Sequence, residues 1–262
     1  MAEQQYILSH TADAAERARL ALWEHSEDAR SQRHLAALGI QTGWRCLEVG
    51  AGHGSLVGWL AKQVGPQGWV VATDINPRFL TEMHLPNVEV RRHDIRTNPL
   101  EAGRYDLAHC RAVLSHLPDP HQALRRMVAA VRMGGWVVIE DADFSTLRAV
   151  EATHPLAASH DRHLRELLDR MRQAKLSDPY LGGRVRGLLE DAGLTEIDNE
   201  GVSRIARGGE TEAQMLCMTL QALVERGILS AAAYRELQQA LLDPRFRFIT
   251  LTTFAAWGRR AS

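Results

Sequence analysis

Leu47-Glu48-Val49-Gly50-Ala51-Gly52-His53-Gly54 decides how the rest of this chain is read. It reads as a short buried strand running into a glycine-rich turn, then a helix. Glycines at alternate positions let the backbone pass close to a ligand and take φ values that a Cβ would penalise. A helix opening on such a turn directs unpaired N–H groups at an anionic or polar group. Glu48, just ahead of the first glycine, would repel phosphates and suits a cationic or amine-bearing ligand. As E-x-G-x-G-x-G, the stretch departs from the dinucleotide pattern G-x-G-x-x-G at its third glycine.

The surrounding sequence turns this weak motif into a fold. Gly68-Trp69-Val70-Val71-Ala72-Thr73-Asp74 is a second apolar run closing on an acid. An acid at the end of the second strand of an α/β sheet is placed to accept hydrogen bonds from ribose hydroxyls. A third run, Val88–Ile95, carries Asp94; a fourth, Tyr105–Cys110, ends at Arg111; a fifth, Trp136–Glu140, follows Met133-Gly134-Gly135. Strand and helix alternate to about residue 140, which predicts a parallel sheet with helices on both faces and right-handed crossovers.

With those residues in view, the chain resembles the class I S-adenosylmethionine-dependent methyltransferases. The parts that match in order and spacing are the loop 48–54, Asp74, His93-Asp94-Ile95, Tyr105-Asp106 with Leu114–Pro120, and Met133–Trp136. The lead-in Tyr6–His10 with Glu16-Arg17 resembles, more loosely, a bacterial branch acting on small molecules. The resemblance implies an α/β fold: a seven-stranded, mostly parallel Rossmann-like sheet, helices on both faces and a helical cap. It also implies S-adenosylmethionine as methyl donor, with Gly50, Ala51 and Gly52 under the methionine arm and Glu48 acting nearby. Asp74 would hold the ribose diol and Ile75 line one face of adenine. Asp94 would accept from the adenine amino group and Ile95 donate its N–H to the ring. Cys110-Arg111 would border the amino-acid arm, Arg111 pairing with its carboxylate as a guanidinium fork can. Tyr6 is read either as closing over the cofactor or as a packing residue. His116, past strand four, is the candidate general base, with Asp141 to orient it or bind substrate; the pair resembles the His and Asp of some sugar O-methyltransferases.

Each assignment has a structural rival. The glycines also suit a tight turn without a ligand, Asp74 and Asp94 solvated strand-end acids, and Arg111 a helix cap or surface ion pair. His116 also suits the start of a helix and Asp141 an ordinary loop acid. Two other function classes stay open on the same fold: an NAD-linked oxidoreductase and a non-catalytic cofactor-binding partner protein.

The expected organisation is a helical lead-in over 1–40, a cofactor-binding core over 41–144, a helical cap insertion over 145–192, and completion of the sheet over 193–262 with a helical insertion at 211–242. Apolar residues at helical spacing (Leu20, Trp23, Leu35, Leu38) mark the lead-in. Leu194–Arg207 and Arg247–Trp257 read as the last two strands. An aromatic acceptor pocket would draw on Phe144, Tyr180 and the 211–242 helices. A net charge of −1 with no basic block speaks against nucleic acid as partner. Cys46, Cys110 and Cys217 lack C-x-x-C spacing, and the histidines lack zinc-ligand spacing, so neither a disulfide framework nor a metal is expected. No run reaches the roughly 18–20 apolar residues of a membrane span. The expectation is a cytoplasmic monomer or homodimer acting on a small-molecule acceptor, with O- or N-methylation preferred to C-methylation.

Overall fold

Five apolar runs become the parallel heart of one sheet. The computed structural model describes residues 13–261. In chain order it forms α1 (Asp13–Ala37), β1 (Arg45–Val49), α2 (Ser55–Val64), β2 (Trp69–Asp74), β3 (Val88–Arg92), β4 (Tyr105–Arg111), α3 (Pro120–Ala130) and β5 (Val131–Asp143). There follow β6 (Arg148–Ala149), α4 (Ala157–Gln173), α5 (Val185–Asp191), β7 (Leu194–Val202), β8 (Ile205–Arg207), α6 (Thr211–Glu225), α7 (Ala231–Leu242), β9 (Arg247–Ile249) and β10 (Thr252–Arg260). The seven-stranded sheet has the order β3-β2-β1-β4-β5-β10-β7. β1 lies between β2 and β4, and β2–β3, β1–β2, β1–β4 and β4–β5 all pair in parallel. The strand order reverses direction at β1, and ligands of open α/β sheets bind at the C-terminal strand ends beside such a switch point.

The chain divides into two compact units. Glu27–Asp141, Leu181–Gly201 and the residues from Phe254 form the first, which holds the sheet's centre. Its strands alternate between two cores. Leu47, Val49, Val71, Ala108, Cys110, Val137 and Ile139 pack with Ala123, Leu124 and Met127 of α3 and with Val185, Leu188 and Leu189 of α5. The opposite register positions, Cys46, Val70, Ala72, Leu107 and Val138, pack with Leu35 of α1 and with the α2 stripe Leu56, Val57, Leu60, Ala61 and Val64. Burying each large aliphatic side chain is worth about 1.5–3 kcal/mol, so these two layers fix which face every strand residue takes. Helix starts follow local chemistry: Asp119 caps α3, its carboxylate accepting from the Gln122 N–H at 2.9 Å with Pro120 in the first turn.

The second unit comprises residues up to Ser26, Ala142–Tyr180 and Val202–Thr253. It has its own core, where Leu164 and Leu167 of α4, Leu220 and Leu223 of α6, and Leu237 and Leu241 of α7 meet Phe246 and Phe248. A small sheet of order β6-β9-β8 completes it, with both pairings antiparallel.

Three readings of local structure are corrected. The single strand expected over 194–207 is two strands, β7 in the large sheet and β8 in the small one; the one expected over 247–257 likewise splits into β9 and β10. The two breaks brace each other, Thr250 N–H donating to the Arg204 carbonyl at 2.8 Å and Arg204 N–H to Thr250 Oγ1 at 2.9 Å. The buried stripe of α1 is mostly polar rather than apolar: Glu24, Glu27, Ser31 and His34 are buried beside Leu35, while Leu20 and Trp23 are half-buried. Among the described residues no helix is long and apolar enough to cross a membrane.

Candidate active site

The loop after β1 is built around Gly50. It has φ +72°, and a Cβ there would lie 2.3 Å from Val113 Cγ2, on the chain just past β4. Only glycine lets the two loops approach this closely. Gly50 and Ala51 donate their N–H groups to the Thr73 carbonyl at 2.8 and 3.0 Å, which ties the loop to the end of β2. Thr73 Oγ1 returns a bond to the Glu48 carbonyl at 3.0 Å.

Asp74 closes β2 and faces that loop. Its Oδ2 accepts from the Gly52 N–H at 3.0 Å and its Oδ1 from the Asn76 N–H at 2.8 Å. Each oxygen of a carboxylate has room for a further donor. Burial pushes the Asp74 carboxyl above its ordinary range, against the pull of those two N–H bonds. Ile75, next along, leaves 39% of its surface exposed, unusual for a large aliphatic residue. A carboxylate fixed by two backbone donors, an exposed aliphatic side chain beside it and a glycine cradle under Val113 fit an adenosyl group: acceptor for the diol, flat apolar contact for the base, close backbone for the arm.

Other residues singled out from the sequence are placed differently. Asp94 is turned onto Arg96, whose Nε lies 2.9 Å from Oδ1 and whose Nη2 lies 2.8 Å from Oδ2. That guanidinium holds the carboxyl below the ordinary aspartate range. Donation from an adenine amino group to Asp94 would therefore have to share oxygens with an ion pair. Ile95 is buried and its carbonyl accepts from Arg126 Nη1 at 2.7 Å. The Cys110 side chain lies in the core on the α3 side, where burial pushes its thiol well up. Tyr6 lies outside the described residues.

Arg111, expected to border the donor's amino-acid arm, is placed against α1. Its Nη2 donates to Asp28 Oδ1 at 2.9 Å and its Nη1 to Ser31 Oγ at 2.9 Å, both on α1. The fork that was expected to meet the carboxylate of the donor's amino-acid arm is thus directed at the polar stripe of α1. Ser31 Oγ in turn donates to Glu140 Oε2 at 2.5 Å, and Ser55 at the start of α2 donates to Asp28 at 3.0 Å.

Beyond β4 the chain is strained, with Ala112 at φ +54°, in the left-handed region that side chains rarely enter. Its N–H is held by the Glu140 carbonyl at 2.8 Å. His116 then closes a short 3-10 turn, Leu114–His116, and is half-buried. The Asp141 carboxylate, buried at the end of β5, accepts from the Ser115 N–H at 3.0 Å. Asp141 thus grips the backbone next to His116.

One group was passed over in the sequence. His109, inside β4, is fully buried, and its Nδ1 lies 2.8 Å from Glu48 Oε2. The missed signal was positional: Glu48, His109 and Glu140 are buried polar residues near the C-terminal ends of three neighbouring strands.

Comparison with known proteins identifies the family. A family profile described as "Methyltransferase domain" matches residues 10–198. An uncharacterized 37.1 kDa protein in transposon TN4556 of Streptomyces fradiae is 30% identical over 241 residues, covering 88% of this chain and 68% of its own length. Methyltransferase str2 of Strobilurus tenacellus is 33% identical over 186 residues, covering 71% of this chain and 65% of its own length. Among solved structures, Haemonchus contortus phosphoethanolamine N-methyltransferase 2, in complex with phosphomonomethylethanolamine and S-adenosylhomocysteine, superposes with a TM-score of 0.55 at 14% identity, over 94% of this chain and 53% of that one. The chain thus spans about two thirds of these curated relatives and about half of that solved chain. Residues matched along most of the sequence and a sheet of this order converge: the chain belongs to the methyltransferase-domain family, with S-adenosylmethionine as its methyl donor.

Proposed function

We propose that the protein transfers a methyl group from S-adenosylmethionine to an oxygen or nitrogen of a small-molecule acceptor. The observation that carries the reading is Asp74 bonded at once to Gly52 N–H and Asn76 N–H, opposite the Gly50 cradle. When bound, the donor supplies a methyl group on a sulfonium, already a good leaving group. The protein's part is then positioning, which can lower a barrier by on the order of 7–11 kcal/mol in favourable cases. Asp74 holds the ribose diol, Gly50, Ala51 and Gly52 bind the methionine arm, Glu48 supports the loop from beneath, and Ile75 lines the adenine. Asp94 and Ile95 border the base less directly, Asp94 through its pair with Arg96. Cys110 lends backbone only, and Arg111 acts through α1.

An oxygen or nitrogen nucleophile that carries a proton must lose it, and His116 is the group assigned to take it. Asp141 fixes the backbone beside His116 by accepting from the Ser115 N–H. A carbon acceptor would leave this base with a different task, and the preference for O or N rests on it. Transfer of radiolabelled methyl from the donor to a panel of phenols, amines and hydroxy acids tests the reading. At least one acceptor should be labelled, and Asp74→Asn should lose most of that activity. For His116→Ala, a fall of about 10²–10⁴ in turnover is expected of a general base; turnover within about threefold of wild type removes His116 from that role.

A further inference from the structure

Five titratable side chains form a chain of alternating acids and imidazoles through the first unit. Glu48 Oε2 lies 2.8 Å from His109 Nδ1, and His109 Nε2 lies 3.7 Å from Glu140 Oε1. Glu140 Oε1 lies 3.8 Å from His34 Nδ1, and His34 Nε2 lies 2.7 Å from Glu200 Oε2. The first four are buried, and Glu200 is part-exposed on β7. His109 Nε2, Glu140 Oε1 and His34 Nδ1 are buried without a hydrogen bond and converge on one point.

Buried carboxylates are tolerated only when compensated. Glu48 and Glu140 sit on β1 and β5, on either side of β4, and His109 stands between them; Glu48 and His109 are register partners. Glu140 has a second cation near it in Arg111, on the strand of His109 itself. From α1 come Asp28, which Arg111 pairs with, and His34; β2 presents Ala72 in register with Glu48 and carries no charge there. Among the described residues, His109 is the imidazole paired with Glu48, at 2.8 Å.

The strands joined this way are those that carry the site. Glu48 leads into the Gly50–Gly54 loop, Glu140 holds Ala112 through its carbonyl, and Asp141 beside it holds Ser115. We propose that His109 is a positioning residue of the methyl-donor site: as an imidazolium shared by Glu48 and Glu140, it locks the ends of β1, β4 and β5 in the register that donor binding requires. Burial works against charge on the ring, but the two carboxylates outweigh it and raise its pKa to about 9. The donor site therefore has a built-in alkaline limit: loss of the ring proton takes from Glu48 its paired cation and leaves Glu140 to Arg111.

The proposal rests on the loop being the donor site, so the test reads donor binding first. The full chain is titrated calorimetrically with S-adenosylhomocysteine from pH 6.5 to 10, as wild type and as His109→Gln. Wild-type affinity should hold to about pH 8 and fall at least tenfold by pH 10. His109→Gln should bind at least tenfold more weakly at pH 7, with no alkaline fall beyond that of other groups. Wild-type binding that is flat to pH 10, or a variant within threefold of wild type at every pH, overturns the proposal while leaving the donor site intact. No binding by folded wild type at any pH overturns the donor reading itself and the proposal with it. Should His109→Gln fail to fold, nitrogen NMR of the wild-type histidines decides: a charged His109 ring at pH 8 is expected, and a neutral one overturns the proposal.

Discussion

Asp74 and Gly50 do different work, and their substitutions should fail in different ways. Asp74 bonds two backbone N–H groups and has acceptor capacity left. Asp74→Asn keeps the shape but replaces one acceptor oxygen with a donor and removes the charge. Hydrogen bonds to charged groups are worth about 1.5–3 kcal/mol each, so S-adenosylhomocysteine should bind about a hundredfold more weakly by calorimetry, with a much smaller change in melting temperature. Gly50→Ala combines a positive φ of +72° with a Cβ placed 2.3 Å from Val113 Cγ2. Overpacking costs about 1–3 kcal/mol and a side chain in the left-handed region roughly 1–2 more. Adding Val113→Ala should recover the first part and not the second. A double variant as stable as wild type in denaturant melts would show that φ carries no cost at this turn.

At the scale of the element, α1 is held by charge where most helices are held by hydrocarbon. Arg111 reaches Asp28 and Ser31 across 83 and 80 residues, and Ser31 reaches Glu140 across 109. Arg111→Met would leave Asp28 and Glu140 without their guanidinium. Breaking a buried pair from one side costs about 3–5 kcal/mol, and denaturant unfolding should show a loss of that order. A variant of unchanged stability whose donor affinity alone collapses would return Arg111 to the carboxylate-binding role expected from the sequence. Asp119→Ala, which removes only the α3 cap, should cost about 1 kcal/mol and leave donor affinity alone. These contacts also explain what the sequence made legible. β1, β2, β4 and β5 were readable because each holds a short apolar run beside turn signals, and burial on both faces of a parallel sheet requires that; β3, at the sheet edge, showed only its alternating Val88 and Val90. The glycine loop and Asp74 were readable because their chemistry is local. The α1 stripe was not, since Glu27, Ser31 and His34 look solvated until partners distant in sequence are known. The breaks at Arg204 and Thr250 were equally hidden, because β-compatible residues continue through both and the mutual bond that fixes them is non-local. His109 looked like one histidine among twelve, and its meaning depends on register with Glu48.

For the molecule as a whole, a net charge of −1 gives little general self-repulsion near neutrality, so specific groups set how stability varies with pH. In the first unit His109 has its pKa raised to about 9, from an ordinary value near 6.5. Between those values the native state keeps a proton that the unfolded chain has released. Stability from His109 is therefore complete below about pH 6.5 and lost as pH rises through about 9, with a slope of at most about 1.4 kcal/mol per pH unit. In the second unit His160 behaves oppositely. It is fully buried, its ring lies 4.8 Å from that of Phe246, and burial lowers its pKa despite the bond to Asp161. The unfolded chain binds that proton first, so acidification below about pH 6.5 destabilises this unit. At lower pH, Glu140 and Glu200 add to the acid side in the first unit. Burial raises Glu140, but the flanking imidazoles of His109 and His34 hold it well below the ordinary range; Arg33 and His34 hold Glu200 down. Stability should thus peak near pH 6.5 and fall on both sides for unrelated reasons. Denaturant unfolding from pH 5 to 9.5 should show His109→Gln losing the alkaline slope alone and His160→Gln losing the slope just below pH 6.5 alone. A wild-type curve flat from pH 6.5 to 9.5 would mean that His109 is neutral in the folded protein and that Glu48 finds its counter-charge elsewhere.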